Sequence, residues 1–95
     1  MNWIETITLR SNGDVNDPYI GELLKPPVNG LESKGLIAMK IYRNAWVETD
    51  VSVHLHWKSS PAELRGSPMG LHLAQVLKGF GLVNHSVWVE EKKRS

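Results

Sequence analysis

The sequence predicts an α+β fold with the element order βαββαβ, a ferredoxin-like antiparallel sheet carrying two helices on one face. Three observations predict it. Residues 46–57 read with a period of 2, Val47, Thr49, Val51, Val53, Leu55 and Trp57 on one face and Glu48, Asp50, Ser52, His54 and His56 on the other. Two dipeptides, Asp17-Pro18 and Ser67-Pro68, each pair a helix N-cap acceptor with a proline suited to the first helical turn. Segments rich in β-branched residues lie at both ends of the chain.

The first strand is expected over 2–10, where Ile4, Thr6, Ile7 and Thr8 disfavour a helix. Trp3, Glu5, Ile7 and Leu9 share one face; Asn2, Ile4, Thr6 and Thr8 share the other. Ser11-Asn12-Gly13-Asp14 reads as a turn. A short first helix then starts at Asp17-Pro18, runs through Tyr19, Ile20, Leu23 and Leu24, and is stopped by Pro26-Pro27. A loop follows to Gly35.

The second strand spans 36–44, with Ile37, Met39 and Ile41 on one face and Ala38, Lys40 and Tyr42 on the other. A short hairpin at Arg43-Asn44-Ala45 leads into the third strand, 46–57. There Val47, Thr49, Val51, Val53, Leu55 and Trp57 alternate with Glu48, Asp50, Ser52, His54 and His56. After a loop over 58–66, the second helix starts at Ser67-Pro68. It carries an apolar stripe of Met69, Leu73, Val76, Leu77 and Phe80, and Gly79 and Gly81 are expected to end it. The last strand spans 82–89, and a charged tail occupies 90–95.

Length and composition narrow the function classes. The 95 residues fit one domain, 1–95, whose thin core favours association through a sheet face. Eleven basic and ten acidic residues leave a net charge of +1, which supplies no basic field for nucleic acid. The cluster Lys92-Lys93-Arg94 reads as a solvated end. There is no cysteine, which removes disulfides, thiolate ligands and a cysteine nucleophile. No apolar run reaches the roughly 20 residues that cross a bilayer, and the N-terminus lacks the pattern of a secretion signal. A cytoplasmic protein without membrane contact is expected.

With the two helices covering the apolar face of the sheet, the opposite, open face would present Asn2, Ile4, Thr6, Thr8, Ala38, Lys40, Tyr42, Glu48, Asp50, Ser52, His54, His56, Asn84, Ser86 and Trp88. Large aromatic residues among polar ones suit a surface that closes over a ligand or a partner. The element order, the size and the mixed face written in Val51-Ser52-Val53-His54-Leu55-His56-Trp57 and Val83-Asn84-His85-Ser86-Val87-Trp88 resemble the dimeric α+β-barrel superfamily, in particular its antibiotic-biosynthesis-monooxygenase-type domains. The resemblance implies a homodimer whose sheets face each other, a small-molecule pocket, and no cofactor. Some members of the family use an Asn-Trp-His set, but no spacing in this sequence matches it, so no catalytic residue is carried over.

The residues themselves offer three histidines for chemistry. His54 and His56 lie on the same strand face, roughly 6.5–7 Å apart, and are candidates for acid–base or ligand contacts. With a third ligand, either Asp50 or a His or Glu of a neighbouring strand, they could hold zinc, nickel or iron, although a polar-face reading needs no metal. His85 points to the helix side, either as a core histidine with satisfied nitrogens or as a base in a pocket between sheet and helix. His72, on the second helix, is expected to be a half-buried packing residue. Tyr42, Ser52, Asn84 and Trp88 are the candidate ligand contacts, while Trp3 and Trp57 belong to the core. No Walker, dinucleotide or nucleophile-elbow motif is present.

The expected function is therefore a homodimeric domain that binds a small aromatic molecule, with cofactor-independent, monooxygenase-like chemistry if it is an enzyme. The alternatives are a non-enzymatic interaction or regulatory module that uses the open face for assembly, and a metal-binding protein built on His54 and His56.

Overall fold

The computed structural model describes residues 2–11, 35–47, 49–58 and 66–91. Four strands form one antiparallel sheet: β1 (Asn2–Ser11), β2 (Leu36–Arg43), β3 (Asp50–Lys58) and β4 (Gly81–Val89), in the order β2-β3-β1-β4. Among the described residues one helix, α1 (Pro68–Leu77), packs on the sheet and runs into a 3-10 turn over Lys78–Phe80. The helix expected at Asp17-Pro18, Glu48 and residues 92–95 lie outside the described residues. Among the described residues, no helix is long and apolar enough to cross a membrane.

The first and third expected strands occupy the middle of the sheet, and their inward positions make the core. Trp3, Ile7 and Leu9 of β1 and Val51, Val53, Leu55 and Trp57 of β3 are all buried, and the open-face residues that alternate with them are partly or fully exposed. Leu73, Ala74 and Leu77 of α1 close over them. Burying a large apolar side chain contributes about 1.5–3 kcal/mol, so the alternation fixes which face of β3 meets the helix. Sliding the register by one residue would turn every apolar group outward.

α1 starts as its sequence predicts. Pro68 takes the first helical position, and the Ser67 hydroxyl accepts a hydrogen bond from the Gly70 amide at 2.9 Å. Gly70, Leu73, Ala74 and Leu77 form the buried stripe. That stripe leaves His72 on the exposed side, not half-buried as expected. The helix is closed by Lys78 and the 3-10 turn, so Gly81 does not cap it; Gly81 begins β4, one residue before the expected start.

Two strand boundaries also differ from expectation. β3 begins at Asp50, not at Trp46. The Asn44 side-chain oxygen accepts hydrogen bonds from the amides of Trp46 and Val47, at 2.8 and 2.9 Å, and Asn44 N donates to Asp50 O. This holds a turn where alternation alone suggests strand. β2 accordingly ends at Arg43, Val47 is exposed, and Trp46 is 93% exposed at the hairpin. In β2, an irregularity between Leu36 and Ala38 sets Leu36 opposite Trp57 and drops Ile37 from the ladder. Leu36 thus packs on the core in place of Ile37, which is 56% exposed.

Candidate functional site

The sheet sorts the candidate residues onto two opposite faces. On the helix side, Glu5 projects from the central strand β1 into the core and is completely buried. His85 of β4 sits opposite Ile7, one diagonal step from Glu5, so both side chains emerge on the same face. His85 Nε2 lies 2.7 Å from Glu5 Oε2, with its side chain 14% exposed.

Both oxygens of the Glu5 carboxylate have two partners each. Oε1 accepts from Trp57 Nε1–H at 2.9 Å and from the Ser67 hydroxyl. Oε2 accepts from the Ser67 amide at 3.0 Å and faces His85 Nε2. Ser67 Oγ receives the Gly70 amide proton, which leaves its own proton for Glu5. Without such partners a buried carboxylate would be strongly destabilising; three donors and the facing imidazole offset most of that penalty.

The space for the carboxylate comes from two glycines that flank the N-cap. Gly66 has φ +117°, a conformation that L side chains rarely adopt, and a β-carbon there would meet Glu5 Oε2 at 2.6 Å and His85 Nε2 at 2.8 Å. A β-carbon on Gly70 would meet the Glu5 carboxyl carbon at 2.7 Å. Sequence reasoning placed Glu5 on the inward face but gave it no role. The available signal was one charged residue at an inward position of the run Trp3, Glu5, Ile7, Leu9.

On the open face the strand register assembles rows of side chains. Trp88, Ile4, His56 and Ala38 form one row across four strands; Ser86, Thr6, His54 and Lys40 form the next; Asn84, Thr8, Ser52 and Tyr42 form a third. All the candidate ligand contacts, Tyr42, Ser52, Asn84 and Trp88, are therefore on this face together with His54 and His56. His85 is on the other face and cannot touch the same ligand.

Between adjacent rows, the Tyr42 and His54 rings are 4.6 Å apart, His54 Nε2 meets Ser52 Oγ at 2.9 Å, and Trp88 Nε1 donates to Thr6 Oγ1 at 3.2 Å. Burial, and next the nearby His56, hold His54 below the usual histidine pKa, so it favours the neutral ring. His56 Nε2 is shielded from solvent and has no hydrogen-bond partner among the described residues. Two clefts open beside these rows. One, of about 330 Å³, is lined by Ile4, His56, Trp88 and the neighbouring Asn2 and Glu90. The other, of about 340 Å³, is lined by Thr8, Arg10, Asp50, Leu82 and Asn84.

Asp50 ion-pairs with Arg10 across the β1–β3 ladder, at 3.6 Å, and stands at the far end of the strand from His56. The two imidazole rings are 6.5 Å apart. Among the described residues, no three His, Asp or Glu side chains gather as a metal site.

The chain is similar to the solved structure of Rv0793 from Mycobacterium tuberculosis, with a TM-score of 0.63, 16% sequence identity and complete coverage of both chains. At that identity the likeness shows an α+β sheet fold and carries no activity across. No protein-family model and no curated protein matches the sequence.

Proposed function

We propose that the chain is a ferredoxin-like domain that pairs with a second copy through its open sheet face and encloses a small aromatic molecule there. The observation that carries this reading is the row Trp88–Ile4–His56 with its cleft of about 330 Å³. Small-molecule sites are apolar hollows with a few fixed polar groups. Here an indole and an isoleucine supply the apolar walls, and the His56 imidazole is the polar ring that lines the cleft.

Self-association follows from the same face. Trp88 is 58% exposed and Tyr42 is 47% exposed, a cost that a covering sheet would remove. Both clefts are open to solvent in the single chain, and a second sheet laid over them would exclude water. If the bound molecule is electron-rich, such as a phenol, a dry pocket with a neutral imidazole fits cofactor-independent, monooxygenase-like chemistry. His56 and the neutral His54 would then be the bases.

The experiment uses 2-naphthol as an aromatic probe, followed by amide chemical shifts, with sedimentation for the oligomeric state. Wild type should sediment as a dimer, and the probe should shift the amides of Ile4, His56 and Trp88. His56→Ala and Trp88→Ala should keep the fold and lose the probe. A monomer at all concentrations would remove the pairing, and shifts confined to the helix side would remove the site.

A further inference from the structure

We propose that Glu5 and His85 form an acid–base couple on the helix side of the sheet. In it, His85 is the group that accepts a proton from a small neutral carbon or oxygen acid, and Glu5 is the residue that positions it. This site is separate from the open-face cleft, because the sheet stands between them.

Helix capping does not account for the construction. Ser67 already receives the Gly70 amide proton, which is what an N-cap provides. Glu5 adds a fully buried carboxylate to an otherwise apolar row, and room for it requires a glycine at 66 in a restricted conformation and another at 70. Apolar residues of similar volume often stabilise a core as well as a buried ionic network does, or better. Departures from the local rules of packing cluster at sites that do chemistry.

The geometry also assigns the roles. Trp57 Nε1–H and Ser67 N–H can only donate, so they hold the carboxylate in place as an acceptor. With the carboxylate fixed, His85 Nε2 is the nitrogen that bears the proton donated to Oε2, and Nδ1 is left with the ring's lone pair. A carboxylate behind an imidazole in this way fixes its tautomer and stabilises the imidazolium that forms. Among Glu5, Trp57, Ser67 and His85, His85 is the most exposed, so protons enter through it. In the transfer, the C–H or O–H bond of the donor breaks and its electron pair stays on the donor. The proton goes to Nδ1, and the new positive charge is shared across the Nε2–H···Oε2 contact.

The test uses 5-nitrobenzisoxazole, whose ring opens when a base removes its C3 proton: the N–O bond breaks and a nitrophenolate is released. Wild type should accelerate the opening by roughly 100-fold or more over 4-methylimidazole at equal concentration. His85→Gln keeps an N–H directed at Oε2 but removes the base, and should lose the acceleration with its fold intact. Glu5→Gln, compared at equal folded fraction, should lower the rate by about tenfold or more. A wild-type rate equal to that of the free imidazole, or an unchanged rate in His85→Gln, overturns the proposal. Long-range ¹H–¹⁵N spectra of wild type decide even if both variants fail to fold: the neutral ring should carry its proton on Nε2, and an Nδ1–H ring overturns the proposal.

Discussion

The α-carbon of Gly70 stands so near the Glu5 carboxylate that a β-carbon on it would lie 2.7 Å from the carboxyl carbon. The end of a glutamate side chain ordinarily swings aside. Here it is held by Trp57, Ser67 and His85, so moving it breaks buried hydrogen bonds. Alanine should gain up to about 1 kcal/mol over glycine in a helix. Overpacking in a locked site costs about 1–3 kcal/mol, which outweighs that gain. Gly70→Ala should therefore lower the urea midpoint. Gly79→Ala, where a new β-carbon meets nothing within 4 Å, should be neutral or slightly stabilising. Equal behaviour of the two variants would mean that the carboxylate is not held in place.

Much of the sheet was legible because burial acts on alternate residues. Val51, Val53, Leu55 and Trp57 are inward in both sequence and structure, and the polar residues between them share the open face. The start of that strand was not legible. Alternation continues backwards through Val47, while two hydrogen bonds to one asparagine side chain decide that the chain turns there. Ile37 fails for a related reason, because one irregular residue in β2 shifts Leu36 into its place. The open-face candidates came together since they depend only on parity. The Glu5 network did not emerge: His85 is 80 residues away and Ser67 is 62 away, and only the fold makes them neighbours.

The turn before β3 combines two backbone bonds, Asn44 N to Asp50 O and Asp50 N to Val47 O, with one side-chain acceptor. Asn44 Oδ1 takes the amide protons of Trp46 and Val47 in an exposed setting, where water can replace it. Asn44→Ala should thus cost only the net value of ordinary hydrogen bonds, about 0.5–1.5 kcal/mol. Asn44→Asp keeps the acceptor and should cost less. Hydrogen exchange at the Trp46 and Val47 amides should quicken in the alanine variant and stay slow in the aspartate one. If both variants exchange alike, the side chain is not what holds the turn.

The lowered pKa of His54 has a signed consequence for stability. In the unfolded chain His54 titrates near 6.5, and in the fold it titrates lower, because burial and next His56 disfavour the charged ring. Between the two values the unfolded chain binds more protons than the fold, so stability rises with pH across that interval. Relative to neutral pH, stability is therefore lost as pH falls from about 6.5 through the lower folded value. Wild type should consequently lose more stability than His54→Gln when urea unfolding is compared at neutral and mildly acidic pH. His56→Ala should move the His54 titration seen by NMR upward, since one source of the shift is removed while burial remains. A His54 titration that stays put in His56→Ala would show that the second imidazole exerts no repulsion, and equal acid losses in wild type and His54→Gln would show that the fold does not favour the neutral ring.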